Sequence, residues 1–395
     1  MGALDGIVVV EAGLLVQGPQ AAALLHEWGA AVVKVELPGF GDQSRWLPYA
    51  PGAPTSAYFV ACNRGKRSVT VDLHVPAGRE IFLRLAQRAD VVITNFKPGT
   101  MDSWGLGYDD VAARNPRVVY ASGSTFGDAG AGPHREGADL SGQAAGGLIS
   151  AIGENGGPPS PVGVTIADHV ASLNLAAGVL AALLARERTA RGQRVDTSLL
   201  AGQLWAQASE YTKYLLSGEV AGRANRSHPL VPGLYGIFPT ADGWIAVVGV
   251  AGAARTTFFE TLGRPELSKE FAQPLYWEDD KARLFPILDE VFVTRTTAEW
   301  SGILAAAGLR FAPVRDHAEV VADPEVWANG YLTEVVDEND PDHPARVVAA
   351  PVRFSDTPAA PSALAPELGQ HTEEVLLELD YSWNDIARFR DDRVI

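Results

Sequence analysis

The strongest constraint on the fold is a repeated alternation of short β-branched runs with helical stretches. Ile7-Val8-Val9-Val10 reads as a buried strand, followed by a helical segment from about Gly18 to Trp28. Ala31-Val32-Val33-Lys34-Val35-Glu36 comes at once as a second strand. Strand, helix and strand within about 35 residues form a βαβ unit, which requires a parallel sheet with helices on its faces. The pattern then repeats. Ser68 to Leu73 reads as a strand, Pro76 to Ala89 as a helix and Asp90 to Thr94 as a strand, and a helix from Tyr108 to Asn115 leads into the strand-like run Arg117 to Ser122. The economical fold is α/β: a Rossmann-like, open parallel sheet with ligands at the carboxyl ends of its strands.

Those ends carry small, polar and turn-forming residues: Leu14-Leu15-Val16-Gln17-Gly18-Pro19, Asn95-Phe96-Lys97-Pro98-Gly99 and Gly123-Ser124-Thr125-Phe126-Gly127. Between the first two lies the densest basic cluster of the N-terminal half, Asn63-Arg64-Gly65-Lys66-Arg67. Three close cations are either a phosphate site or a solvated face, and the residues alone leave both open.

After Leu200 the character changes. A helical stretch to about Leu216 gives way to a Gly/Arg/Asn/Ser/Pro-rich segment, and strand-like runs at Tyr235–Pro239 and Trp244–Val248 precede three helical segments. The expected organisation is a large domain over 1–217, a linker and smaller α/β domain over 218–320, and a return segment over 321–395 that completes the large domain.

Composition narrows the function. A formal charge of −16 argues against nucleic acid as a partner. One cysteine, Cys62, rules out an internal disulfide framework, and with eight scattered histidines no metal site is expected. The opening MGALDGIVVVEAG carries an acidic residue where a signal peptide has positive charge, and the most apolar run, Ala171 to Leu184, is too short to span a bilayer. The expected compartment is the cytoplasm, without membrane contact. Gly130-Ala131-Gly132 lacks the third glycine of the dinucleotide fingerprint because position 135 is Arg, and Gly65-Lys66 is followed by Arg67 where a P-loop needs Ser or Thr.

One carboxylate stands out. Asp168 sits where an irregular Gly/Pro-rich segment turns into a long helix, expected from about Asp168 to Arg188 with Val170, Leu173, Ala177, Leu180 and Leu184 on one face. A helix start favours negative charge, so this is an address for an anionic nucleophile. The local pattern is first of all that of an ordinary cap, since Thr165-x-x-Asp168 has the spacing of a capping box.

Taken in order, five stretches resemble the class III (CaiB/BaiF-type) coenzyme A transferases, relatives of the α-methylacyl-CoA racemases. They are Gly29 to Glu36 with Pro38-Gly39, Asn63 to Ser68, Asn95 to Gly99, Asn115-Pro116, and Leu368-Gly369-Gln370-His371-Thr372. The resemblance covers almost the whole chain. It implies an interlocked homodimer, coenzyme A bound on the large domain as co-substrate, and Asp168 as the nucleophile. Gln17, at a family position facing the nucleophile, is implied as an oxyanion donor, and Val16, Arg64, Lys66, Arg67, Asn95, Phe96 and Lys97 as coenzyme A contacts. Leu37 stands where some relatives have Arg, a departure in the phosphate contacts.

An ionised aspartate attacks an acyl-CoA thioester to give a mixed anhydride, and an aspartyl-CoA thioester then passes CoA to a carboxylic acid acceptor. Asp168 must be ionised near neutral pH for this, which a helix start favours. The racemase alternative needs an acid/base pair. Racemase relatives carry His in a Gly-His-Asp stretch whose match here is Gly137-Ala138-Asp139, and alanine carries no proton. His134 lies nearby and His169 adjoins Asp168, the latter as a base or a packed histidine. A coenzyme A binding protein without turnover is the third reading.

Overall fold

The computed structural model describes residues 1–53, 56–250, 252–337, 340–359 and 363–395. The chain divides into two compact units, the larger made of 1–146, 163–206 and 324–395, the smaller of 147–162 and 207–323.

The larger unit is built on β1 (Val8–Ala12), β2 (Ala31–Glu36), β3 (Arg67–Thr70), β4 (Val91–Thr94), β5 (Val119–Ser124) and β6 (Gln193–Ser198). Their order is β3-β2-β1-β4-β5-β6 and every neighbouring pair is parallel. The winding reverses between β1 and β4, which opens a crevice at their carboxyl ends. Both faces of the sheet are covered, as near-continuous Val/Ile runs require. Val9, Val32, Val91 and Ile93 pack with Leu25, Leu175 and Val179, while Val10, Val33, Val35 and Val92 pack with Ile81, Phe82 and Leu85.

The long helix runs over Ile166–Thr189, and the face expected to be inward is not the buried one. Ala167, Ala171, Leu175, Ala176, Val179, Ala182 and Leu183 are buried, whereas Leu173 and Leu184 are exposed. Small residues decide this. The helix lies so close to the sheet that a Cβ on Gly178 would stand 2.7 Å from Val195 Cγ1, and an alanine-rich face permits that approach. At 24 residues the helix is long and apolar enough to cross a bilayer, unlike the shorter run read from the sequence, yet here it packs on β5, β6 and the helix Gln17–Glu27.

Beneath the carboxyl ends of β1 and β2 lies a cluster of charges with no solvent access. Lys34 Nζ lies 2.9 Å from both Glu11 Oε1 and Asp42 Oδ2, and Lys66 Nζ lies 2.9 Å from Glu11 Oε2. Lys34 also donates to Gly13 O, and Lys66 to Pro19 O and Asn63 Oδ1. Burial works against the Lys34 charge, but Glu11, Asp42 and Glu36 outweigh it and hold its pKa above the ordinary lysine range. Burial pushes Lys66 down to about 8, with Glu11 opposing and Lys34 adding to the shift. Next to the cluster, Arg45 clamps Glu36 through two hydrogen bonds of 2.8 Å.

The C-terminal stretch covers the free edge of β3. Gly369 N–H donates to Ser68 Oγ, His371 N–H to Ser68 O, and Thr70 N–H to Thr372 Oγ1. Helices Thr372–Glu378 and Trp383–Asp391 follow.

In the smaller unit, β7 (Leu234–Pro239), β8 (Trp244–Val250) and β9 (Phe311–Pro313) form an antiparallel sheet. Its core is aromatic: Phe238 stacks on Phe292, which meets Trp300 edge-on. The antiparallel pair β10 (Leu332–Asp337) and β11 (Asp340–Val348) of the larger unit had no counterpart in the sequence reading.

Lys34→Met leaves Asp42 without its buried cation and Glu11 with one of two, so the unfolding free energy measured in urea is expected to fall by about 3–5 kcal/mol. An unchanged value would show that the cluster does not hold the sheet together.

Candidate active site

The crevice between β1 and β4 is closed at its base by one side chain. Asn95, just after β4, accepts from Leu14 N–H and donates to Leu14 O, both at 2.8 Å, so its amide splices the two strand ends. A side chain on Gly13 would lie 3.0 Å from Asn95 Oδ1 and 2.7 Å from Glu11 Oε1. Leu15 adopts a left-handed φ of 63°, and its N–H donates to Asp42 Oδ1 at 3.0 Å. The buried charge cluster thus holds the loop in a conformation that L-residues avoid.

Gln17 opens the next helix and is buried. Its amide lies against β5, where a Cβ on Gly123 would come within 2.5 Å of Oε1, and Nε2 donates to Ser124 O at 3.4 Å. Glycine at position 123 makes room for this side chain.

Asp168 occupies the first turn of the long helix, and its carboxylate does not cap it. Thr165 makes no capping bond; its Oγ1 lies 3.2 Å from His169 Nε2. The cap comes from elsewhere. Asp139 Oδ1 accepts from the backbone N–H groups of Ala167 (2.8 Å) and Asp168 (3.2 Å), while Asp139 Oδ2 accepts from Gln143 Nε2 at 2.6 Å. No described residue donates a hydrogen bond to the Asp168 carboxylate. The helix start therefore does not keep this acid low. Burial pushes Asp168 up to about 7, and the like charge of Asp139 adds to the rise.

Asp168 shares a cavity of about 270 Å³ with Gln17, Asn95, Phe96, Lys97, Ser124, Thr125, Phe126, Arg135, Gly137 and Ala138. The structure thus brings together Asp168, Gln17, Asn95, Phe96 and Lys97. Lys97 stands at an exposed position, 2.8 Å from Glu136 Oε1.

The remaining residues named from the sequence lie apart from this cavity. Val16 is buried ahead of Gln17. Lys66 belongs to the closed charge cluster, and Arg64 is buried against Glu27 and Val348 O. Arg67 reaches Glu374 and Glu378 on the helix Thr372–Glu378. Each cation of the basic cluster has a carboxylate within reach, Arg64 and Lys66 in the interior and Arg67 at the surface. His169 is held between Gln20 Oε1 and Thr165 Oγ1, with its pKa lowered by burial, and His134 sits in the turn Gly132–His134 outside the cavity lining.

Two working residues escaped the sequence reading in this role. Asp139 had served only to frame Ala138, and Gly123 was read as part of a loop. Each acts on a residue far along the chain, so no local pattern announces it.

A half-buried carboxylate with a raised pKa, without a donor among the described residues and lining the same cavity as a fixed amide, suits nucleophilic attack or proton transfer. Comparison with known proteins places this arrangement in context. The model of a family described as CoA-transferase family III matches residues 4–372. The chain is 35% identical over 395 residues to a succinyl-CoA:mesaconate CoA-transferase of Haloarcula hispanica, covering 96% of each. It is 33% identical over 390 residues to a succinate–glutarate CoA-transferase of Agrobacterium fabrum, covering 95% of this chain and 96% of that one. The crystal structure of a CaiB/BaiF family protein from Brucella suis matches with a TM-score of 0.85 at 33% identity, over 96% of this chain and 100% of the other.

The raised acid has a consequence for stability. A carboxyl whose folded pKa lies above its unfolded value favours folding fully below about 3.8, and that contribution is lost as the pH rises through about 7. Asp168→Asn lacks this titration, so its melting temperature relative to the parent should climb between pH 4 and pH 8. A difference independent of pH would contradict the raised pKa.

Proposed function

Because the chain belongs to CoA-transferase family III, we propose that it moves CoA from an acyl-CoA donor to a carboxylic acid through covalent intermediates on Asp168. The observation that carries this reading is the Asp168 carboxylate itself: half-buried, without a hydrogen-bond donor among the described residues, and open to a cavity at the point where the strand order reverses.

The sequence balances without an outside reagent. A carboxylate oxygen of Asp168 attacks the thioester carbonyl; the C–O bond forms, the C–S bond breaks, and CoA leaves as thiolate. The thiolate attacks the Asp168 carbonyl carbon of the mixed anhydride, giving aspartyl-CoA thioester and free donor acid. The acceptor carboxylate attacks that thioester, forms a second anhydride and releases thiolate, which takes the acceptor acyl group and restores Asp168. Gln17 Nε2 is the donor assigned to the oxyanion. The cavity of about 270 Å³ suits the reacting end of the substrate, with Asn95, Phe96 and Lys97 along the coenzyme A path. The two named relatives act, by their names, with succinyl-CoA or succinate and with mesaconate or glutarate, so dicarboxylic acids are the substrate class assigned here. Arg64, Lys66 and Arg67, whose charges are taken up by carboxylates, fit bracing better than phosphate binding.

The racemase alternative is disfavoured by Ala138, which lines the cavity without a proton to give, and by His134, which does not line it.

An interlocked homodimer is part of this reading. Leu173, Leu184 and Trp205 of the larger unit, and separately Leu215 and Leu216 of the smaller, are exposed in the single chain, as surfaces awaiting a partner are. Sedimentation at micromolar concentration is expected to show a dimer; a monomer would overturn that part.

Hydroxylamine added during turnover is expected to leave a hydroxamate on Asp168, located by mass spectrometry and missing in Asp168→Ala, which loses transfer. Gln17→Ala should lower kcat by about 10²–10³. Deuterium exchange at the α-carbon without a trapped adduct would replace transfer with racemisation.

A further inference from the structure

The wall of the Asp168 cavity carries a cation that the chemistry above leaves unused. Arg135 follows the turn Gly132–His134 and lines the cavity from an exposed position. Its guanidinium carbon lies 3.7 Å from the centre of the Phe126 ring, and among the described residues it has no ion pair. Lys97, the other cation lining this cavity, is already matched by Glu136, so Arg135 is the cation left there without a carboxylate partner among the described residues.

Its platform is built. Phe126 and Thr125 come directly after β5, and Thr125 Oγ1 donates to Gly137 O at 3.0 Å. A Cβ on Gly137 would lie 2.8 Å from Thr125 Cγ2 and 2.9 Å from the Phe126 ring, so the segment presses on that ring. Two residues on, Asp139 holds the backbone N–H of Asp168. The arginine and the carboxylate therefore ride on one braced segment. An arginine stacked on an aromatic face keeps its edge donors free for a carboxylate in the plane of the guanidinium.

We propose that Arg135 binds the distal carboxylate of a dicarboxylic acyl group or acceptor acid, so that this cavity selects dicarboxylates over monocarboxylates of equal length. The inference rests on the CoA-transfer reading and names the residue behind its substrate class. Position assigns Arg135 to the acyl end. Asp139, four residues after Arg135 on the same segment, holds the Asp168 backbone N–H, whereas Asn95 and Lys97 follow β4, with Lys97 spent on Glu136. A monocarboxylic substrate leaves the guanidinium to water at little cost, so selection comes from the bonds gained with the second carboxylate, about ten- to a hundredfold.

The test compares succinyl-CoA with butyryl-CoA, which has the same chain length and no distal carboxylate. The parent, Arg135→Gln and Arg135→Lys are each assayed for kcat/KM, with inhibition by free CoA and calorimetric binding of succinate and butyrate alongside. Arg135→Gln is expected to lose ten- to a hundredfold on succinyl-CoA and little on butyryl-CoA, with unchanged CoA inhibition and weaker succinate binding; Arg135→Lys restores part of the loss. Equal losses on both thioesters with weakened CoA inhibition would assign Arg135 to the phosphates of coenzyme A and overturn the proposal. An unchanged succinyl/butyryl ratio would overturn it too. A parent that transfers no CoA, yet prefers succinate to butyrate through Arg135, would sink the transferase reading while upholding this one; no preference in either assay sinks the inference.

Discussion

The site depends on a pair of lysines that no water reaches. Glu11 sits at the penultimate position of β1 and takes both of them, Lys34 from β2 and Lys66 from just before β3. One carboxylate therefore ties three stretches of chain together. Lys34 also donates to Gly13 O and Lys66 to Pro19 O, one on each side of the turn that leads into the helix opened by Gln17. Asp42 then uses one carboxylate to meet Lys34 and to receive the amide of Leu15. Taking such groups out of water costs several kcal/mol per ion, and only a fully connected set makes it tolerable. The return is a loop whose backbone has few alternatives.

Asp168 lives under the opposite regime. The amide groups that would ordinarily calm a carboxylate at a helix start are consumed by Asp139, which adds its own negative charge nearby. A capping interaction and a reactive group usually compete for the same donors. Here the two roles are divided between two aspartates 29 residues apart. Asp139 fixes the helix, and Asp168 stays half-buried without a donor among the described residues, its pKa raised by burial and by that neighbouring charge.

The periodic parts of this fold were legible in the sequence, and the relational parts were not. Ala31–Glu36 and Pro76–Arg88 came out within a residue of their observed bounds because β-branched runs and Pro-led amphipathic stretches are local signals. The long helix was found but turned the wrong way, since hydrophobicity favoured Leu173 and Leu184 while packing favoured the alanines. For Arg64 and Lys66 the residues alone left a phosphate site and a solvated face open, because charge along the chain says nothing of which carboxylates arrive from β1 or from the helix Gln17–Glu27. Asp168, Gln17, Asn95, Phe96 and Lys97 do meet at one cavity, and the family resemblance supplied that grouping where composition could not.

The tail that seals β3 has a consequence for how the protein is made. Gly369 and Ser68, joined by one hydrogen bond, are 301 residues apart. Synthesis at about 5–20 residues per second puts roughly 15–60 s between the emergence of the two partners. Throughout that interval a parallel sheet can assemble from β1 to β5, but the edge at β3 is bare, with its peptide groups available to any passing strand. The nascent chain thus passes through a long window in which its most regular element is also its stickiest, and the stretch around Gly369 to Thr372 is the one that closes it.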